Sequence, residues 1–514
     1  MKIPKHIENI LSELEKSGYQ AYLVGGCVRD LVLSEVEGLP FKAKDWDITT
    51  NAKPEEIQKI FTDSVYENDF GTVGVKVRHS ESDTEVVEVT PFRKEESYSD
   101  KRHPDKVIFT QKVEDDLARR DFTVNAMALK ITNYNSQITN NSQIQNSNLQ
   151  IIDPFGGEKD IEAKLIRAVG KPEDRFNEDA LRLMRAVRFA AQLGFSAQGG
   201  PVSGWDIELA TKSAIKSLAN NLKAISHERI RDELTKLIAS SDPEKGIILM
   251  QELGLLKIVL PEVEEGVGVA QNKHHIYNVF EHLVKSLGFA AKYNYNIYVR
   301  FASLLHDVGK PRTKEGVGED ASFHGHEFVG AKMAVKALER LKFSKDFIEK
   351  VYTLVRYHMF YYNVGEVTEK SVRRLVRKVG PENMQELLEL RQSERKGSGV
   401  PKAEPYRLRH LKYMIDKVSR DPLTVGMLKV NGNDVMTVLG IEPGPKIGHI
   451  LSALLEEVID DPARNEKEYL TGRMKELNNL SSEELIKLAQ AGKDKLEEEK
   501  EKEDESIKER YFVK

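Results

Sequence analysis

The sequence predicts an α+β chain, with strands and helices interleaved to about residue 130 and nearly continuous helix after residue 153. Two observations carry this. Thr72 to Arg78 and Glu85 to Val89 alternate apolar and polar residues, with the period of two of a half-buried strand. Beyond the turn Asp153-Pro154-Phe155-Gly156-Gly157, apolar residues recur at helical spacing. Between the two regimes, Asn133 to Asn148 is rich in Asn, Gln, Ser and Thr without periodicity, which predicts a flexible insertion.

The elements follow in order. Ile3 to Ser17 predicts a helix, and Ala21 to Val24 a short strand that runs into Gly25-Gly26. Val28 to Leu33 predicts a second helix and Trp46 to Thr49 a strand. Pro54 opens a helix to Phe61, since proline fits a first turn. The two alternating segments suit a hairpin. Domains are expected at 1–150 (with the insertion at 131–150), 151–270, 271–400, 401–490 and 491–514. Gly199-Gly200-Pro201 and Glu262 to Gly268 are candidate breaks. The last segment alternates Lys with Glu and Asp, which predicts a solvated or frayed helix.

At 514 residues the chain exceeds what one core serves. A composition of 40% hydrophobic and 31% charged residues is that of a soluble globular protein. No apolar run approaches the ~20 residues of a membrane span, and Met1 to Ser12 lacks the apolar stretch of a secretory signal. The single cysteine, Cys27, excludes an intramolecular disulfide and fits a reducing, cytoplasmic setting. It is expected to be a small packed residue, not a nucleophile. A net charge of −5 means that nucleic-acid binding would rest on local patches.

The chemistry begins at Asp45-Trp46-Asp47. Carboxylates two apart on a strand share a face and repel, so the pair calls for a cation. Hard oxygen ligands favour Mg²⁺, held by one or two carboxylates together with substrate phosphates. Upstream, Gly25-Gly26-Cys27-Val28-Arg29-Asp30 follows a strand and precedes a helix, where backbone amides can hold an anion. Together the two stretches suggest nucleotidyl transfer.

These two stretches resemble the signature of the nucleotidyltransferase superfamily, in its bacterial tRNA nucleotidyltransferase and poly(A) polymerase form. The resemblance implies a mixed-sheet nucleotidyltransferase head followed by all-helical neck, body and HD domains. It also implies triphosphate contacts at Gly26 and Arg29, and metal and catalytic roles for Asp45 and Asp47. Glu88 is the candidate third carboxylate. Phe70-Gly71-Thr72-Val73 matches the family's next motif. Pro91-Phe92-Arg93 and the polar stretch to Val107, with Arg102, resemble the loop associated with adding the terminal A. The run Asp116 to Met127 is a long match in which Arg120 would bring a cation to the nucleotide and Asp121 would fix a neighbouring group. In Glu178 to Phe189, residues Asp179, Arg182, Arg185 and Arg188 recur every third position and are expected along one helix. In the family, the acidic residue and first arginine pair with the Watson–Crick edge of ATP or CTP, and the later arginines contact phosphate or base.

His306-Asp307-Val308-Gly309-Lys310 resembles the HD phosphohydrolase signature, with His282 upstream and His324, His326 and His358 nearby. Such density is unusual in a chain with thirteen histidines. Imidazole with carboxylate suits Mn²⁺, Ni²⁺, Fe²⁺ or Zn²⁺. The candidate ligands are His282, His306, Asp307 and Glu394, the last standing where the family often has an aspartate. The expected function is addition or repair of the tRNA 3′-terminal CCA from CTP and ATP, with Mg²⁺ and contact to the 3′ end and acceptor arm. The alternatives are a poly(A) polymerase or terminal-A-adding enzyme, and an HD phosphohydrolase with an RNA-binding head.

Overall fold

The computed structural model describes residues 3–38, 45–66, 71–78, 80, 84–96, 106–131, 149–193, 204–272, 276–399, 404–419, 426 and 428–513. The expected insertion, Phe70, Arg102 and Gly199-Gly200-Pro201 lie outside them. Two compact units result. The first is Met1–His358 with Glu389–Pro401, and the second is Met359–Leu388 with Lys402–Lys514.

The first unit opens with helix α1 (Lys5–Lys16), whose apolar face buries Ile7, Ile10, Leu11 and Leu14. A seven-stranded sheet follows. Its strands are β1 (Ala21–Val24), β2 (Asp47–Thr50), β3 (Ser64–Tyr66), β4 (Val73–Arg78), β5 (Thr84–Pro91), β8 (Ala128–Ile131) and β9 (Leu149–Ile152), in the order β3-β4-β5-β2-β1-β8-β9. β6 (Arg93–Glu96) and β7 (Lys106–Phe109) form a separate antiparallel ribbon at the root of the stretch expected to be a loop. The expected hairpin is present, with β4 and β5 antiparallel from Val73↔Val89 to Arg78↔Thr84. The sheet is mixed because β2 runs parallel to β5, pairing Ile48 with Val89, while β1 is antiparallel to β2, pairing Val24 with Asp47. These registers place the site: the end of β1 and the start of β2 meet, and β5 flanks them.

Helix α2 (Gly26–Glu37) starts from Gly25, which caps it at φ 77°. α3 (Pro54–Ile60) begins with proline, as expected. α4 (Val113–Ala118) leads into the Arg119-Arg120-Asp121 turn. Asp153 caps α5 (Gly157–Glu162), accepting from the Gly157 and Glu158 amides at 2.8 and 3.0 Å. The arginine run departs from expectation. It is split between α6 (Pro172–Glu178) and α7 (Arg182–Gln192), with Asp179 in extended backbone at the break (φ −140°, ψ 106°).

In the second unit, Leu428, Val435, Ile450, Leu454, Leu470 and Met474 are buried in one cluster. Gly492 to Arg510, the expected solvated or frayed helix, forms the later part of the terminal helix Ser482–Tyr511. Its end is anchored instead, because Ile507 and Val513 are buried with Val372, Leu408 and Leu411. The apolar residues near its end were masked, in the sequence, by the charge run before them.

Candidate active site and metal centre

The antiparallel register brings Asp47 beside the glycine turn. A Cβ added at Gly25 would lie 3.0 Å from Arg120 Nη1 and 3.2 Å from Asp47 Oδ2. Carboxylate, guanidinium and bare backbone therefore share one small space. Asp45 is exposed in the segment leading into β2, which begins at Asp47 and not before it. Burial above all, with Asp45 adding, raises the Asp47 carboxyl pKa, and Arg120 opposes the rise. Carrying the β2–β5 register back one residue aligns Asp47 with Glu88, on the same sheet face. Neighbouring carboxylates, with the Asp47 pKa raised and Arg120 partly engaged beside it, fit an added hard cation. The Cys27 thiol is pushed up to about 11 by burial and by Asp47, which suits a packed residue.

The cations stand in different states. Arg29 is buried and engaged, donating to Asp30 Oδ1 at 2.8 and 2.6 Å and to Asn125 Oδ1 at 2.8 Å. Arg120 is held loosely, at 3.5 Å from both Asp116 Oδ2 and the Asn125 carbonyl, and its Nε has no hydrogen-bond partner among the described residues. Arg120 is thus the more available of the two for an arriving phosphate.

Asp121, buried, takes Arg185 Nε and Nη2 on Oδ2 at 2.7 and 2.6 Å and the Phe122 amide on Oδ1 at 2.9 Å. Burial opposes its charge, but Arg185 and Arg182 outweigh this and lower its pKa to about 2. Arg182 is tied to Glu178 at 2.6 Å and to the Arg119 carbonyl at 3.0 Å. Asp179 is gripped through both oxygens by Arg229, at 3.2 and 2.7 Å, and also accepts from the Leu181 amide. Both contacts hold Asp179 at the helix break. Arg188 is buried and paired with Glu233 of the helix His227–Ile238. The structure thus places Asp179 and Arg182 near the Arg119–Asp121 turn and Arg188 inside the helical packing. Asn125 was within the quoted run. Nothing in the sequence near Asp179 points to Arg229.

The histidines gather elsewhere in the same unit. His282, His306, Asp307, His326 and His358 are all buried, and their ligand atoms form two overlapping groups that share Asp307. His282 Nε2 and His306 Nε2 lie 3.2 and 3.3 Å from Asp307 Oδ2. His326 Nε2 and His358 Nε2 lie 3.2 and 3.5 Å from Oδ1. Lys310 Nζ is 2.6 Å from Oδ2 and donates to Gln271 Oε1 at 2.6 Å. The Nδ1 atoms of His306, His326 and His358 face the Ser303, Phe323 and Val355 carbonyls at 3.0, 2.7 and 2.7 Å. Each Nδ1 is thereby turned to a carbonyl and each Nε2 faces the Asp307 carboxylate. Burial opposes a charge on His326, but the hydrogen bond to that carboxylate raises its pKa. Imidazoles with a carboxylate fit a first-row transition ion. Glu394, expected as a ligand, is held by Arg391 Nη1 at 2.6 Å to each oxygen and belongs to neither group. Its pKa falls to about 2, since Arg391, His358 and His306 overcome burial. His324 is exposed and belongs to neither group.

Comparison with known proteins follows the same division. Residues 21–167 match the poly A polymerase head domain, 204–266 the probable RNA and SrmB-binding site of polymerase A, and 279–393 the HD domain. The A-adding tRNA nucleotidyltransferase of Deinococcus radiodurans is 33% identical over 361 residues, 68% of this chain and 76% of that one. The CCA-adding enzyme of Ligilactobacillus salivarius is 32% identical over 476 residues, 91% of this chain and 95% of the relative. The chain belongs to the tRNA nucleotidyltransferase family. The crystal structure of the Bacillus stearothermophilus CCA-adding enzyme in complex with CTP aligns over 93% of this chain and 98% of that one, at 28% identity and a TM-score of 0.55. Membership of this nucleotidyltransferase family gives the chain its reaction class, transfer of a nucleotide. No helix among the described residues is long and apolar enough to cross a membrane.

Proposed function

We propose that this nucleotidyltransferase adds or repairs the 3′-terminal CCA of tRNA, using CTP and ATP without a template strand. The observation that carries the reading is the meeting of Asp47, the Gly25-Gly26 turn and Arg120 at one edge of the sheet. The Asp179–Arg182 pair stands on the turn that follows, tied to it through the Arg119 carbonyl. Asp45, Asp47 and Glu88 would hold Mg²⁺, which when bound neutralises the triphosphate and activates the RNA 3′-hydroxyl. The hydroxyl attacks the α-phosphorus in line, the new phosphodiester forms and pyrophosphate leaves. The chain's own groups act by positioning and by charge. Gly25 and Gly26 let the backbone approach the phosphates, and Arg120, with Arg29 behind it, meets their charge. Asp179 keeps acceptor capacity beyond Arg229 and, with the donors of Arg182, matches a base edge. Arg185 holds Asp121 and through it the turn that carries Arg120.

A second reading, an enzyme adding only the terminal A, is favoured by the A-adding relative. Incubating the chain with tRNA lacking CCA and single nucleotides separates them. Incorporation of C, then A, is expected, and uptake of A with no prior C would sink the CCA reading. We further propose that the buried histidine cluster is a transition-metal centre, on the strength of four imidazole Nε2 atoms converging on one buried carboxylate.

A further inference from the structure

Three of the arginines expected at the nucleotide meet on one aromatic ring. Phe189 stands in α7, one turn after Arg185, and is buried. The guanidinium carbon of Arg188 lies 4.1 Å from the ring centroid, that of Arg185 5.3 Å and that of Arg29 5.5 Å. The Phe122 ring meets it edge-on, at 5.7 Å and 79°. Arg29 comes from α2 beside the glycine turn, and Phe122 directly follows Asp121. One ring thus faces the phosphate side of the head, the turn that carries Arg120 and the helix of the arginine run.

Polar contacts join the same groups by a second route. Arg29 Nη1 donates to Asn125 Oδ1 at 2.8 Å, Asn125 Nδ2 to Asp121 Oδ1 at 3.3 Å, and Arg185 to Asp121 Oδ2 at 2.7 and 2.6 Å. Arg29 and Arg185 are therefore linked twice, through a hydrogen-bonded bridge and through the ring. Each of the three cations also has a carboxylate: Asp30 for Arg29, Asp121 for Arg185 and Glu233 for Arg188. Like charges so close still repel, and burial leaves that repulsion poorly screened. An aromatic face offers them an electronegative surface, which an aliphatic side chain lacks. A leucine would fill much of the same space without drawing three guanidiniums to one point.

We propose that Phe189 is a positioning residue for nucleotide addition, whose ring fixes Arg29 against the Arg119–Asp121 turn and so sets the grip on the triphosphate. This role rests on the reading of the glycine turn, Arg29 and Arg120 as the triphosphate contacts. It is separate from base selection, because Asp179 and Arg182 have anchors of their own in Arg229 and Glu178. The triphosphate is common to CTP and ATP. Loosening the ring contacts should therefore raise the KM for both nucleotides by the same factor and leave the preference between them unchanged.

The test uses the full chain, with tRNA lacking CCA as acceptor for CTP and tRNA ending in CC as acceptor for ATP. Phe189→Leu is expected to raise both KM values about tenfold, the scale of losing a desolvated cation–π contact. A merely structural loss would lower the active fraction, and with it kcat, at unchanged KM. A second series guards against misfolding: phenylalanines with one, two and three ring fluorines at position 189 withdraw charge from the ring face at nearly constant shape. KM should climb with each fluorine, to about fivefold, while the melting temperature stays level. A flat KM across that series overturns the inference. So does a KM that rises for only one of the two nucleotides the unsubstituted chain uses, or a fall in kcat alone in Phe189→Leu. Failure of the unsubstituted chain to add any nucleotide would instead remove the triphosphate reading beneath it.

Discussion

Asp121 shows how much one side chain is asked to do. Its carboxyl is held at about 2 against an ordinary 3.8, so it remains ionised at any physiological pH. The folded state depresses this pKa, so the associated stability is complete above about pH 4 and fades as pH falls through 2. The shift alone corresponds to about 2 kcal/mol. Asp121→Asn should therefore lower denaturation stability at pH 7 by at least that amount, with the gap to the parent chain narrowing toward pH 2. A gap that stays constant across that range would show that the ion pair with Arg185 is not its source. Asp47 sits at the opposite pole, with a raised pKa and an arginine it shares loosely. Protons thus compete with cations there, and Mg²⁺ affinity should strengthen as pH rises from acid to neutral.

At the scale of elements, α2 and β2 are positioned by backbone geometry that only certain residues permit. Gly25→Ala asks an L-residue to adopt φ 77° and puts a methyl against Arg120 and Asp47. The backbone strain costs about 1–3 kcal/mol. The activity loss should be larger, about a hundredfold in kcat/KM, because displaced catalytic groups are penalised steeply. A variant with weakened stability and normal kcat/KM would refute that placement. The strands and helices around this turn were legible because their signals are local: alternation in β4 and β5, proline at the start of α3, glycine before α2. The break at Asp179 was not legible. Glu178 to Phe189 contains no proline or glycine, and Asp179 is its one weak helix former before a run of Ala, Leu, Met and Arg. At the break Asp179 is held by Arg229, fifty positions away in sequence, as well as by the Leu181 amide. The β6–β7 ribbon was likewise hidden, since polar residues pairing across a segment of unknown span carry no periodic mark. In the histidine cluster the residue types announced a site, but the roles of Lys310, Gln271 and Arg391 exist only in three dimensions.

For the molecule as a whole, the first unit carries two sets of ionisable groups with different chemistry, one of oxygen donors and one of imidazoles. Their separation is testable. Asp47→Ala should abolish nucleotide incorporation and leave Co²⁺ binding intact, whereas Asp307→Ala should abolish Co²⁺ binding and leave most incorporation. Loss of both properties in either variant would mean that the two sites depend on each other. The non-helical step between α6 and α7 has a further consequence, for how sequences of this kind are compared. A one-residue gain or loss between Asp179 and Arg182 would fall in this step and move Asp179 by up to about 3.6 Å of chain relative to the α7 arginines, while every motif remained present. Two homologues with the same letters but a different count at this step should be treated as having different nucleotide selectivity, and an alignment gap there is a more telling difference than many substitutions.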